Sequence, residues 1–232
     1  PLRQHDVLEQ ALDDADTKLA LDAITALNKN GGLEEQINAT GAVQPLLSAL
    51  SYPDRRVRFS AALTLANANP STDFPDSFRV VPVLAEAVRQ ADVKYAAIVA
   101  SDQDSVNKLS VVMTELGFQP VGGTALENVV TQGAGLPGED LIVAQTDAAG
   151  VTAIQQGTTT MYKLSSVPIL ALANKEQSAA IRANYPEGTR VHVAAPAMDS
   201  AALGPAVEAA ATAVAGAAIT GEEWESYALR EM

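Results

Sequence analysis

Asp140-Leu-Ile-Val-Ala-Gln145 decides the fold. Successive side chains of a strand point to opposite faces, so four consecutive apolar residues between polar ends predict a strand buried on both sides. Three more runs share this form: Tyr95-Ala-Ala-Ile-Val-Ala100, Pro168-Ile-Leu-Ala-Leu-Ala173 and Arg190-Val-His-Val-Ala-Ala195. Gln119-Pro-Val-Gly-Gly-Thr124 is the weakest strand candidate. Helical spacing fills the intervals. Val106, Leu109 and Met113 recur on one face of a segment that starts at Asp104, runs through Leu116 and stops at Gly117. Further helices are expected over 125–131, 148–163, 175–184 and from Ser200 to Ala218. A buried strand followed by a helix, five times over, predicts a doubly wound parallel sheet of order 2-1-3-4-5. Ligands in such sheets sit beyond the carboxyl ends of the strands. That rule selects Ser101, Asp102, Gln145, Thr146, Asp147, Ala173, Asn174, Ala195 and Pro196 as the residues to inspect.

The chain upstream of these strands repeats itself. Asp16-Thr-Lys-Leu19-Ala-Leu-Asp-Ala23-Ile24-Thr-Ala-Leu27 lies over Asp54-Arg-Arg-Val57-Arg-Phe-Ser-Ala61-Ala62-Leu-Thr-Leu65 at an offset of 38 residues. Val43-Gln-Pro45-Leu46-Leu47-Ser-Ala-Leu50 lies over Val81-Pro82-Val83-Leu84-Ala-Glu-Ala at an offset of 37. Both copies are helical by spacing, with Leu19, Ala23, Ile24 and Leu27 as the apolar face of the first. Pro53-Asp54 supplies a turn and a helix N-cap, and Gly31-Gly32 is expected to stop the preceding helix. Ala61 and Ala62 allow close helix approach. Over roughly residues 16–90 this pattern resembles the HEAT repeat family, an α-solenoid of antiparallel helix pairs. Tyr52-Pro-Asp-Arg-Arg-Val-Arg-Phe-Ser-Ala-Ala-Leu-Thr-Leu65 carries most of the likeness. Two repeats are fewer than the roughly three that a solenoid normally needs, and further repeats upstream or capping by the second half could supply the missing contacts.

Residues 94–219 resemble the receiver domain of two-component response regulators. The likeness rests on Ile98-Val-Ala-Ser-Asp102, Glu115-Leu-Gly-Phe, the runs ending at Gln145 and Ala173, and Val193-Ala-Ala-Pro196. It implies a cytoplasmic location and a specific chemistry. A receiver phosphorylates an Asp at the end of its third strand, holds Mg²⁺ with acidic residues after the first, and uses a hydroxyl and a Lys after the fourth and fifth. The corresponding positions are Gln145 for the acceptor, Ser101 and Asp102 for the acidic pair, Ala173 for the hydroxyl and Ala195 for the Lys. Pro196 matches the family pattern, where the preceding bond is commonly cis. An amide cannot form an acyl phosphate, so the resemblance implies a pseudo-receiver. The alternative phosphoacceptors are Asp147, two residues beyond Gln145, and Asp104. A sensor built around Asp102, Gln145 and Asn174 is the small-ligand alternative.

Composition narrows the function classes. The 232 residues are 47% hydrophobic and 19% charged, enough apolar material for packed cores. A net charge of −13, spread over both halves, disfavours nucleic-acid binding. The absence of cysteine removes disulfides and thiolate chemistry, and His5 and His192 are too far apart in sequence to indicate a metal site. No run is long enough for membrane insertion. Pro1 stands where a methionine is expected, and both ends read as cut from something longer. Gly133-Ala-Gly135-Leu-Pro-Gly138 has the letters of a dinucleotide fingerprint, but it precedes a strand and reads as a loop. Asn38-Ala-Thr40 has the letters of a glycosylation acceptor without secretory support. His192 reads as a packed or edge residue.

The last predicted helix carries one charged residue, Glu208, where a surface helix shows a polar face. Val207, Ala211, Val214 and Ala218 form one face, expected to be buried against the repeat half or a second copy. Trp224, Tyr227 and Ala228 have helical spacing in a C-terminal tail. The whole reads as an α/β protein: a HEAT-like α-solenoid segment (1–92), a flavodoxin-like five-stranded receiver-like domain (93–220) and a helical tail (221–232). The expected role is a non-catalytic interaction or scaffold module in signalling. Its partner is expected to be a protein or a second copy, with no cofactor and no metal, and with a small ligand as the alternative.

Overall fold

Asp54 starts the helix around which the N-terminal half is built. Its backbone is extended (φ −74°, ψ 123°) and its carboxylate accepts the Arg56 N–H at 2.8 Å, giving one of the open donors of the first turn an acceptor. The computed structural model describes residues 2–29, 44–68, 74–89, 93–136 and 138–215. They fall into two compact units, one ending at Asp92 and one beginning at Val93.

The first unit is helical: α1 (Leu2–Asp13), α2 (Thr17–Lys29), α3 (Gln44–Ala49), α4 (Arg55–Asn67), a 3-10 turn (Ser77–Arg79) and α5 (Val80–Arg89). The two copies of the longer repeat segment are α2 and α4, which pack on each other. Their burial differs. α4 has α2, α3 and α5 as neighbours and buries Arg58, Phe59, Leu63 and Thr64 besides Val57, Ala61, Ala62 and Leu65. α2 packs on α1 and α4, and Leu19, the counterpart of Val57, is 40% exposed. Ala20 takes the buried place expected for Leu19, beside Ala23, Ile24 and Leu27. α1, which the repeat pattern does not reach, packs on α2 and α3 and buries Leu8 and Ala11 completely. Arg58 donates to the carbonyls of Tyr52 and Pro53 at 2.9 and 2.7 Å and stands 3.5 Å from Glu86, so its buried charge is paired and bonded. Gly31-Gly32 and Asn38-Ala-Thr40 lie outside the described residues.

The second unit is a parallel sheet between two layers of helices. Its strands are β1 (Lys94–Ala100), β2 (Phe118–Gly123), β3 (Leu141–Gln145), β4 (Ile169–Leu172) and β5 (Val191–Ala194). All four pairings are parallel and the order is β2-β1-β3-β4-β5, as the strand pattern predicts. The helices are α6 (Gln103–Glu115), α7 (Leu126–Gly133), α8 (Ala148–Thr159), α9 (Lys175–Asn184) and α10 (Ser200–Ala215). Alternation along each strand divides the core. Ile98, Leu141, Val143, Leu170 and Leu172 face α6 and α10. Val99, Ile142, Ala144, Ile169 and Ala171 face α7, α8 and α9. α8 stops at Thr159, short of the predicted 163. Thr158 and Thr159 turn their hydroxyls back onto the carbonyls of Ile154 and Gln155, the competition with the helix ladder expected of such residues. The Met161–Leu164 turn takes over from there. Trp224, Tyr227 and the rest of the predicted tail lie outside the described residues.

Candidate functional site

The strand order brings the ends of β1, β3, β4 and β5 side by side. Ala100 is in register with Gln145, and the Ser101 N–H donates to the Gln145 carbonyl at 3.2 Å. The Ala173 N–H donates to the Ala194 carbonyl at 3.0 Å. The residues selected from sequence therefore share one rim. Their environments differ. Ser101, Asp102, Asp104, Asp147, Ala195 and Pro196 are exposed, Ala173 is buried, and Gln145 is half-buried.

The polar side chains of this rim are largely engaged with their own helices. Asp102 is the N-cap of α6, and its carboxylate accepts the N–H and the hydroxyl of Ser105, both at 2.8 Å. The Ser105 N–H, the Ser105 hydroxyl and the Ser101 hydroxyl together hold this carboxyl below its ordinary pKa. Asp147 caps α8 through the Gly150 N–H at 2.7 Å. Asn174 caps α9 through the Gln177 N–H at 2.9 Å, and the Gln177 amide oxygen accepts the Asn174 N–H in return, a capping box. Asp199 caps the start of α10 through the Ala202 N–H at 2.8 Å. A helix N-terminus attracts anions because its first N–H groups are free and its dipole is positive. At these four helices a side-chain acceptor already takes one of those donors, and at α6, α8 and α10 it is a carboxylate.

Gln145 is the exception. Its Oε1 is buried with no hydrogen-bond partner among the described residues. Asp104 lies in the first turn of α6, exposed and directed by no hydrogen bond among the described residues. Among the described residues no three His, Cys, Asp or Glu side chains group as metal ligands. The bond before Pro196 is trans, as are all peptide bonds among the described residues. This corrects the cis form implied by the receiver likeness.

The last helix is placed differently from the expectation. α10 packs on β4, β3 and α6, and Val207, with Leu203 and Ala210, belongs to the unit's own core. Val207 is therefore not a partner-facing residue. Ala211 is half-buried, the Val214 side chain and Ala218 lie outside the described residues, and the face containing Val207 is covered by the domain's own sheet. His192 lies in the edge strand β5, and its Nε2 is buried without a partner among the described residues. Burial holds its pKa below the ordinary histidine value.

Arg190, which sequence reasoning did not single out, is a heavily bonded side chain at the opposite, amino-terminal end of the sheet from this rim. It donates to the carbonyls of Gln155, Leu164 and Val167 and to the Thr158 hydroxyl. Those partners lie 23 to 35 positions away in sequence, so no local pattern announces them.

No helix among the described residues is long and apolar enough to cross a membrane. No curated protein and no solved structure gives a significant match to the chain. A family model of HEAT repeats matches residues 6–102, a span that covers every described helix of the first unit from Asp6 onward and runs through β1. The N-terminal helices thus carry HEAT repeats, and the receiver likeness of the second unit rests on its topology and its residues alone.

Proposed function

We propose that the chain is a non-catalytic protein-interaction module in which a HEAT-repeat segment is joined to a phosphorylation-incompetent, receiver-like docking domain. HEAT repeats generally mediate protein–protein interaction, and that supports the reading for residues 6–102. One observation carries it for the second unit: the residue at the phosphoacceptor position is Gln145, and two carboxylates of the same rim, Asp102 and Asp147, are engaged as helix caps. An amide oxygen is a poor nucleophile with no acyl phosphate to form. The cap directs Asp147 Oδ1 to the Gly150 N–H at the start of α8. Ala195 supplies no cation to balance a phosphoryl group. The receiver resemblance favours a cytoplasmic setting for such a module.

The ligand-sensor reading draws support from the unpartnered Oε1 of Gln145. It needs several polar groups converging on one cavity. Asp102 and Asn174, its other proposed members, have their side-chain oxygens bonded to Ser105 and Gln177, so scaffolding is favoured.

Intact-mass spectrometry after incubation with Mg²⁺ and acetyl phosphate tests the proposal, with an active receiver as parallel control. The expected result is an unmodified chain. A stoichiometric, base-labile adduct on Asp102, Asp104 or Asp147 would restore signalling chemistry and overturn the reading.

A further inference from the structure

β5 ends the sheet, and among the described residues only β4 pairs with it. The Ile169 N–H donates to the Arg190 carbonyl at 2.7 Å and the Ala173 N–H to the Ala194 carbonyl at 3.0 Å. Backbone groups alternate sides along a strand, so the N–H and C=O of Val191 and Val193 point away from β4, off the sheet. Beside them lies a cleft of about 470 Å³ lined by Arg182 of α9, Tyr185 just after it, Glu187 and Thr189 of the following turn, and Val191 and Val193. Arg182 and Glu187 are exposed and form no ion pair or hydrogen bond with any described residue.

The opposite edge is built differently. In β2 the Gly122 carbonyl accepts the Gln132 amide at 3.4 Å, which marks the even-numbered positions as facing outward. Pro120 shares that parity and places a ring where an outward N–H would stand. Edge strands of native proteins are commonly blunted in this way, or by Lys and Glu. β5 contains none of the three.

We propose that the β5 edge is a docking site for an extended segment of a partner protein, which adds as a sixth strand. Its main chain pairs with the outward groups of Val191 and Val193. Alternate side chains enter the cleft beside Val193 and Tyr185, with an acidic residue near Arg182 and a basic one near Glu187. The charge of −13 sets two copies of the chain against each other, whereas a partner with basic flanks is drawn in; the occupant is therefore a different protein. The inference rests on the protein-interaction reading and is independent of phosphorylation.

The test is selection of a displayed random heptapeptide library on the full chain at physiological salt, followed by synthesis of the best sequence. Titration is then combined with residue-resolved hydrogen exchange. The expected peptide alternates apolar and polar residues and carries one acidic and one basic side chain. Its binding slows exchange at the Val191 and Val193 amides and leaves His192 and Ala194 unchanged. Val193→Pro removes one outward donor and weakens binding about fivefold, the worth of one hydrogen bond. N-methylation of the peptide amides facing β5 gives the same loss on the unaltered protein. Failure of selection, or a peptide that leaves Val191 and Val193 unprotected, overturns the proposal. Protection confined to the helices of the first unit removes the edge site and keeps the interaction reading. Concentration-dependent protection of these amides without peptide, with a dimeric mass, makes the edge a self-association surface and overturns the proposal equally.

Discussion

The guanidinium of Arg190, one residue before β5, lies 2.7 Å from the hydroxyl of Thr158 near the end of α8. The same group donates to the carbonyls of Gln155, Leu164 and Val167, tying α8, the turn after it and β5 at one point. Burial pushes its pKa down from a very high starting value, so it remains a cation. Arg190→Ala removes hydrogen bonds to four part-buried acceptors, the Val167 carbonyl among them, and is expected to cost about 3 kcal/mol. Arg190→Lys recovers only part, because an ammonium cannot span the fork of acceptors. Hydrogen exchange of the β-strand amides measures the loss in this unit separately from the helices. An unchanged protection pattern in Arg190→Ala would show that the tie is dispensable.

Asp54 gives the helical unit an acid sensitivity. Burial pushes its carboxyl pKa up, but the Arg56 guanidinium and N–H outweigh burial and hold it below the ordinary value. A depressed native pKa means stability that is present above about pH 4, the unfolded value, and is lost as pH falls through the native one. Asp54→Asn keeps an N-cap acceptor and removes the charge, so its deficit relative to wild type is present at neutral pH and disappears at acid pH. Asp54→Ala also loses the cap, about 1 kcal/mol more. Urea midpoints of the three proteins across pH 2–7 decide it; a deficit independent of pH would contradict the ion-pair account.

Gln145→Leu is expected to be neutral or stabilising by about 1 kcal/mol, since it removes a buried acceptor that no described residue satisfies. Denaturation at pH 7 provides the comparison. A clear destabilisation would show that the amide makes a bond worth keeping, and would strengthen the ligand reading of the rim.

Gly150→Ala is expected to destabilise the unit despite the better helix propensity of alanine, about 1 kcal/mol in a helix interior. A methyl group there would collide with the side chain of Thr146, whose Cβ alone lies 3.1 Å from it. Thr146→Ala removes the two nearer atoms but keeps the Cβ, so it should rescue part of the loss, giving a coupling of about 1 kcal/mol in a double-mutant cycle. Additive effects would mean that the turn simply relaxes.

The central strands were legible because β1, β3 and β4 are covered by helices on both sides, and burial on two faces writes a continuous apolar run into the sequence. β2 was faint because an edge strand needs no such run and carries Pro120 and two glycines. The repeat was legible from its offset, but Leu19 and Val57 occupy equivalent positions in unequal surroundings, and periodicity cannot count a helix's neighbours. At the rim, Asp102 and Asp147 drew attention as carboxylates at strand ends. Their role as caps was also written locally: each stands three residues before the N–H that it accepts, as Asn174 does before Gln177. Val207 was misjudged because an alanine-rich helix shows little polar contrast, so its inward side could not be told from its outward one. Arg190 depends on contacts across 23 to 35 residues, which no window on the sequence spans.

The unlike edges of the sheet also limit the size of any assembly built through it. Under the proposed strand addition a partner segment joins at β5, whereas Pro120 interrupts the ladder at β2 and makes that edge a poor template. Head-to-tail stacking of sheets into a filament, the usual hazard of an open edge, sets β5 of one molecule against β2 of the next and meets Pro120 at its first step. Among the described residues, an unguarded edge on one side of the sheet is thus matched by a proline-interrupted edge on the other, which disfavours open-ended growth through the sheet.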